Sequence, residues 1–128
     1  MDFYAENILD HFKNRRNWRV LDPADVDHEE NNPLCGDHLR LTLRVKDDVI
    51  TDVGWAGDGC AICMASASML GEELVGKTLE EAKHITKEHV MENIGVPLGA
   101  VRVKCALLSL KVLKVGAYGL AGWRDEEK

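Results

Sequence analysis

The sequence predicts an α+β fold in which a small antiparallel β-sheet, hairpin-based and of two or three strands, packs against several helices. Residues 39–46 alternate leucine and valine with polar residues, which is the pattern of a strand with one buried face. Asp47 and Asp48 then supply a turn, and residues 49–55 return as a second strand. Helical patterns stand before and after this hairpin instead of alternating with strands, which argues against a βαβ arrangement.

The chain before the hairpin divides into a helix and a loop. Residues 2–13 predict an amphipathic helix, because their apolar side chains recur on one face with polar ones between them. Residues 14–34 are polar and contain Pro23 and Pro33, so we expect a mobile loop that contributes little to the core. The apolar residues of the predicted helix are Phe3, Ile8, Leu9 and Phe12.

After the hairpin the pattern becomes helical. Residues 60–74 are rich in alanine, methionine and leucine and contain no proline, and Gly76 supplies a C-terminal stop signal. Thr78 and Glu81 match a capping box, which predicts that another helix opens directly after Thr78.

Two more helices are predicted towards the C-terminus. Thr86 caps a short helix, residues 95–99 form a connector, and residues 101–115 form the last long helix. Residues 116–128 are first rich in glycine and then charged, which predicts a frayed tail.

Composition indicates one domain with one core over residues 1–128, since 45% of the side chains are hydrophobic. The net charge of −6 argues against a nucleic-acid partner, which would require a basic face. We find no signal-peptide pattern and no apolar stretch that could span a bilayer, so we expect a cytoplasmic protein without a membrane partner. In that reducing compartment the four cysteines favour metal or redox chemistry over disulfides.

Three of the cysteines stand in separate predicted elements. Cys35 and Asp37 enter the first strand two residues apart, so both side chains can project to the same side. Cys60 follows a glycine-rich turn and precedes a helix, whose N-terminal end favours a thiolate. Cys105 stands at the start of the last helix. The long intervals between them differ from the close pairs of zinc fingers and predict a site assembled by the fold and open on one side.

Three thiolates and one carboxylate make a four-coordinate set for a thiophilic metal such as Zn²⁺. Arg102 and Lys104 stand near enough in sequence to offset the net negative charge of such a site. Because a carboxylate is a harder ligand than sulfur, Asp37 is the ligand most easily displaced, which predicts a site that opens. Packing as a small buried residue is the alternative for each cysteine taken alone, and it is weakest for Cys60.

Cys63 forms a C-x-x-C arrangement with Cys60 on one helix face. A spare ligand, a resolving thiol and a small residue packed beneath the helix are all open interpretations of Cys63. The histidines are expected on the solvated surface. For His38, which stands beside Asp37, a role at the site is a second open interpretation. The five histidines are His11, His28, His38, His84 and His89.

Four motifs together resemble the IscU/SufU-type iron–sulfur cluster assembly scaffolds, which also form the N-terminal part of NifU proteins. The resemblance runs over most of the chain, from the helix with Tyr4, Leu9, Asp10, His11 and Phe12 to the last helix. The motifs are Asn32-Pro33-Leu34-Cys35-Gly36-Asp37, Gly57-Asp58-Gly59-Cys60-Ala61-Ile62, Ala65-Ser66-Ala67-Ser68-Met69 with Gly76-Lys77, and Arg102-Val103-Lys104-Cys105-Ala106.

This resemblance implies a SufE/NifU-like fold and a scaffold or carrier protein, not a turnover enzyme. It implies that Cys35, Cys60 and Cys105 receive persulfide sulfur from a pyridoxal-phosphate-dependent cysteine desulfurase and hold a transient 2Fe–2S cluster for transfer to apo iron–sulfur proteins. Asp37 would be the labile fourth ligand, and Cys105 the primary persulfide acceptor with Cys60 as a second candidate. Isolated members of the family often carry Zn²⁺ in the same site.

The chain departs from each branch of the family. Lys104 stands where the IscU branch has a histidine, and a lysine at this position resembles the SufU branch. The resemblance to SufU implies the alternative function, a zinc-dependent sulfur acceptor that stimulates a desulfurase. The interval between Cys60 and Cys105 is too short for the usual SufU insertion. Residues 98–102 replace the Leu-Pro-Pro-Val-Lys motif of IscU, which puts handover through the dedicated Hsp70 chaperone in doubt. A purely structural zinc is the third alternative.

Overall fold

Three strands form one antiparallel sheet in the order β1-β2-β3, in a computed structural model that describes residues 3–33 and 36–119. This architecture confirms the predicted α+β class and the central hairpin. The strands are β1 (Val26–Asn32), β2 (Asp37–Lys46) and β3 (Val49–Asp58).

Helices cover the sheet in two tiers. The second and fifth helices lie against the strands, and the first and fourth pack on those two helices. The helices are α1 (Phe3–Lys13), α2 (Ala61–Leu74), α3 (Leu79–Lys83), α4 (Lys87–Ile94) and α5 (Ala100–Tyr118).

The main core lies between the hairpin and the helices α2 and α5. Leu39, Leu41 and Leu43 of β2 are fully buried, as their alternation predicts, and each contributes about 2 kcal/mol of transfer free energy. Trp55 of β3 is buried with them. Leu21 is only 5% exposed, although it belongs to the segment that was expected to contribute little to the core.

The predicted turn between β2 and β3 has the geometry of a tight hairpin. Asp47 and Asp48 both adopt left-handed backbone conformations, with φ values of 51° and 64°. Two successive positive φ values match the right-handed twist of the flanking strands, and aspartate tolerates them better than most residues.

The prediction of a loop over residues 14–34 is wrong in its last part, because β1 (Val26–Asn32) pairs there with β2. This strand was missed because its sequence is polar and lacks apolar alternation. Its inward side is held by polar contacts instead: His28 Nε2 lies 2.6 Å from Glu30 Oε2, and Lys111 Nζ of α5 lies 3.6 Å from Glu30 Oε1. Pairing partners from distant parts of the chain decide this element.

Helix boundaries follow the predicted caps. Thr78 and Glu81 form the complete capping box of α3, and the Thr86 side chain accepts from the backbone N–H of His89 at the start of α4. Gly95 ends α4 in the left-handed conformation with φ 71°.

The last helix is longer than predicted, which corrects the start of the frayed tail. Residues 116–118 are helical, and the Tyr118 hydroxyl donates a 2.6 Å hydrogen bond to the Leu79 carbonyl. Burial raises the pKa of Tyr118 to about 12, so the hydroxyl stays protonated as a donor. Gly116 lets α5 approach β1, because a Cβ there would lie 2.8 Å from His28 Cβ. Residues 120–128 lie outside the described residues.

Within residues 3–33 and 36–119, none of the helices combines the length and the apolar character needed to cross a lipid bilayer.

Candidate metal centre

Three of the four predicted ligands meet at one place. A carboxylate oxygen of Asp37 and the sulfur atoms of Cys60 and Cys105 all lie within 4.8 Å of one another. Asp37 opens β2, Cys60 precedes α2 and Cys105 belongs to α5, so three elements that are separate in sequence build the group. Cys35, the fourth predicted ligand, lies outside the described residues.

The Asp37 carboxylate is buried and only half satisfied. The side chain is 1% exposed, and Oδ1 accepts a 2.9 Å hydrogen bond from the backbone N–H of Cys60. Oδ2 has no hydrogen-bond donor among residues 3–33 and 36–119. A buried polar atom without a partner is rare and costly, and a cation between this oxygen and the two sulfurs would satisfy it. The donor set therefore fits a thiophilic metal.

Glycines before Cys60 make this close packing feasible. A Cβ on Gly59 would lie 2.5 Å from Asp37 Oδ1, so a side chain at this position would push the carboxylate away. Gly57 has φ 125°, and a Cβ there would lie 2.0 Å from the His38 carbonyl oxygen. Gly57 therefore allows close contact with the backbone of β2, and Gly59 allows close contact with the Asp37 side chain.

Cys60 is the N-cap residue of α2, as predicted. Its backbone is extended, with φ −72° and ψ 163°, and its side chain makes no capping hydrogen bond. The side chain is partly exposed and stands at the positive end of a 14-residue helix. A partly exposed sulfur at this end of a helix can act as a ligand or as a nucleophile.

Cys105 is buried in the second turn of α5 and is 1% exposed. The prediction placed it at the helix start, but α5 begins at Ala100, so Cys105 lies one turn beyond the strongest effect of the helix dipole. Its sulfur accepts a hydrogen bond from the side chain of Asn32, whose Nδ2 lies 3.8 Å from Sγ. Sequence reasoning missed Asn32, although it opens the motif that contains Cys35 and Asp37.

Cys63 does not join the ligand group. Its side chain is fully buried in the main hydrophobic core, one turn into α2. Among the described residues, the cluster of ligand atoms contains Cys60 and not Cys63. Core packing, one of the three open interpretations, is therefore the one that its position supports.

His38 lies on the surface as expected, with a side chain 42% exposed, and His11 does not. His38, next to Asp37, turns away from the sulfurs: its Nδ1 lies 2.5 Å from Asn31 Oδ1, and its Nε2 lies 3.3 Å from Glu29 Oε2. His11, expected on the surface, is only 6% exposed. It lies one turn after the buried Ile8 on the same face of α1, a pattern that could have indicated its burial.

His11 joins α1 to α2. Its Nδ1 shares a 2.8 Å hydrogen bond with Ser68 Oγ, and its Nε2 lies 3.3 Å from Glu72 Oε1. Burial lowers the pKa of His11, and the nearby positive charge of Arg16 lowers it further.

These elements and this donor group define the class of protein. The NifU-like N terminal domain family model matches residues 3–125, so the chain belongs to that family. The zinc-dependent sulfurtransferase SufU of Bacillus subtilis is 38% identical over 88% of this chain and 88% of its own length. The iron-sulfur cluster assembly scaffold protein IscU 1 of Archaeoglobus fulgidus is 37% identical over 87% of this chain and 72% of its own length.

Solved structures show the same fold. The crystal structure described as an iron-sulfur cluster assembly scaffold protein for the SUF system, FiSufU of Fervidobacterium islandicum, superposes with a TM-score of 0.74. It is 31% identical over 88% of this chain and 94% of that chain. The N-terminal part of a NifU-like protein from Brucella abortus superposes with a TM-score of 0.73 at 21% identity, over 96% of this chain and 95% of that chain, and shares the fold.

Proposed function

We propose that this protein is a scaffold on which a transient iron–sulfur cluster is assembled and from which it is passed to apo iron–sulfur proteins. The observation that carries the proposal is the buried Asp37 carboxylate within 4.8 Å of the Cys60 and Cys105 sulfurs, with one oxygen that has no donor among the described residues. We assign Cys35 as the third thiolate because it stands two residues before Asp37. Cytoplasm is the proposed compartment, since thiolates stay reduced there.

The mixed donor set supports a site that both holds and releases its cargo. Thiolates bind iron and zinc firmly, whereas a single carboxylate is the harder and weaker ligand for a soft centre. Oδ1 of Asp37 also accepts a hydrogen bond from the backbone N–H of Cys60. A carboxylate whose Oδ2 leaves the metal therefore keeps this hydrogen bond and stays beside the site.

Sulfur would arrive as a persulfide on a pyridoxal-phosphate-dependent cysteine desulfurase. A scaffold thiolate attacks the outer sulfur, the donor's S–S bond breaks, and the donor cysteine leaves as a thiolate. Cys105 is the acceptor that the family resemblance implies, and Cys60 is the second candidate. Cys105 is 1% exposed and Cys60 is partly exposed, so Cys60 is the more accessible of the two thiols.

Anaerobic reconstitution with iron, cysteine and a desulfurase tests the scaffold function. We expect visible sulfur-to-iron charge-transfer absorption from the wild type and from Cys63→Ala, whose substituted thiol lies in the core. Cys60→Ala should lose most of this absorption, because it removes a ligand. A wild-type protein that stays folded and colourless would contradict the proposal.

A second candidate function is a zinc-dependent sulfur acceptor that stimulates the desulfurase. The observation that favours it is Lys104: this exposed residue precedes Cys105 where a histidine ligand would stand in IscU. In this function zinc would hold the thiolates until ligand exchange frees one for persulfide transfer. Desulfurase turnover should rise several-fold when the protein is added and fall when zinc is chelated, and turnover that is indifferent to zinc would eliminate this candidate.

A further inference from the structure

We propose that Asn32 is a positioning residue, whose side-chain amide donates a hydrogen bond to the sulfur of Cys105 and orients it in the site. The inference rests on the proposed metal centre and adds to it a residue that supplies no metal ligand. It starts from the 3.8 Å contact between Asn32 Nδ2 and Cys105 Sγ, which is within reach of the large sulfur atom.

Asn32 occupies a junction between two parts of the site. It is the last residue of β1 and pairs in register with Asp37, the first residue of β2. Its backbone carbonyl accepts a 2.8 Å hydrogen bond from the N–H of Gly36, which closes the turn between these strands. The same residue therefore bonds to Gly36, next to Asp37, and contacts the helix that carries Cys105.

The amide is suited to this task by its chemistry. Asn32 is 7% exposed, so its N–H groups act in a medium where hydrogen bonds are strong. An amide nitrogen is a donor and does not compete for the metal, whereas a carboxylate at the same place would repel a thiolate. Donors to ligand sulfurs orient them and withdraw charge from them, which tunes the bound centre.

The chain offers a matched control in the neighbouring residue. Asn31→Asp and Asn32→Asp make the same change of charge and size one position apart on β1. Asn31 is exposed, and its side chain contacts His38, not a sulfur. A general effect of added negative charge near the site would therefore appear in both variants, and loss of the amide–sulfur contact only in Asn32→Asp.

Titration with Co²⁺ alone tests the inference, because sulfur-to-cobalt charge transfer reports on the ligand thiolates. We expect Asn32→Asp and Asn32→Ala to bind Co²⁺ roughly 10- to 100-fold more weakly than Asn31→Asp, the range usual for residues that support metal ligands. In Asn32→Ala the charge-transfer band should also move to longer wavelength, because a sulfur without its donor gives up electrons more easily. A merely structural role would lower occupancy without moving the band.

The outcomes separate the two proposals. If the wild type itself shows no thiolate–cobalt band, the metal centre fails. If the wild type binds and both Asn32 variants match Asn31→Asp in affinity and in band position, the metal centre stands and the role of Asn32 is overturned.

A measurement on the wild type keeps the test valid if the variants do not fold. With the NMR-active cadmium isotope bound at the site, the side-chain amide protons of Asn32 should show a coupling to the metal through the hydrogen bond and Cys105 sulfur. A loaded protein in which these protons are assigned and show no coupling would overturn the inference.

Discussion

At the scale of single residues, the two carboxylate oxygens of Asp37 have different surroundings. Oδ1 bonds to the backbone of Cys60, while Oδ2 is buried without a donor in the described chain. A bound cation would satisfy Oδ2, and its departure would leave this oxygen without a donor among the described residues. Oδ2 therefore favours a bound cation, while a carboxylate remains a weaker ligand than a thiolate for a soft metal. Together these properties give a ligand of intermediate strength.

Replacing Asp37 should make the cargo more persistent. In Asp37→Ala the labile carboxylate is gone, so we expect a reconstituted cluster to transfer to an apo-ferredoxin at least several-fold more slowly than from the wild type. The transfer rate is measured by the circular dichroism of the ferredoxin. Glu92→Ala, which removes an exposed carboxylate of α4, is the control and should transfer at the wild-type rate. Equal rates for all three proteins would refute the labile-ligand role.

Gly59 should be intolerant of a side chain. The methyl group of Gly59→Ala would lie 2.5 Å from Asp37 Oδ1, so either the carboxylate or the turn must shift. We expect a loss of about 1–3 kcal/mol in the free energy of unfolding, as for other overpacked sites, and at least tenfold weaker zinc binding. Gly99→Ala, at the N-cap of α5, adds a methyl group that meets no atom within 4 Å, so it should cost at most about 1 kcal/mol in urea unfolding and leave the metal titration unchanged.

At the scale of elements, local patterns predicted the hairpin and the helices but not β1. The leucines at 39, 41 and 43 and the capping box at Thr78 carry their signal in nearby residues, which is why they could be recognised. Strand β1 is polar and is stabilised by pairing with β2 and by packing against α5. The residues that determine it are therefore distant in sequence, and no local pattern indicates the strand. The same reason explains why the amide of Asn32 was missed, since its partner stands in α5.

Helices α2 and α5 are held in register by buried serines. Ser66 Oγ donates a 2.6 Å hydrogen bond to the Ala106 carbonyl, and Ser109 Oγ lies 3.1 Å from Ser66 Oγ. Ser66→Ala should therefore lower the free energy of unfolding by about 1 kcal/mol in urea titrations, with weaker zinc binding because both helices carry a site cysteine. Thr51→Ala, at an exposed position of β3, is the control. An unchanged midpoint for Ser66→Ala would show that packing alone sets the register.

At the scale of the whole molecule, His11 should make stability fall on mild acidification. Its folded pKa is lowered, chiefly by burial, so below the ordinary value of about 6.5 the unfolded chain binds more protons than the folded one. The contribution of neutral His11 to the free energy of unfolding is therefore fully present above that pH. It declines as the pH falls through this value and levels off below the lowered pKa.

Urea unfolding across this pH window measures the effect. We expect His11→Gln to flatten the decline, whereas His84→Gln, at a side chain 73% exposed, should retain the wild-type profile. A decline of the same size in His11→Gln would assign the pH dependence to other groups.

The fold as a whole should not require a metal at the proposed site. The apolar core between the sheet, α2 and α5 includes Leu39, Trp55 and Met64, none of which belongs to the donor group. We therefore expect the chelated protein to keep its far-ultraviolet circular dichroism and a cooperative unfolding transition.

Zinc at about 1,000 times its Kd should add about 4 kcal/mol to the free energy of unfolding, and this gain should vanish in Cys60→Ala. A chelated wild type without a cooperative transition would instead make the zinc structural, because metal binding would then supply the free energy of folding.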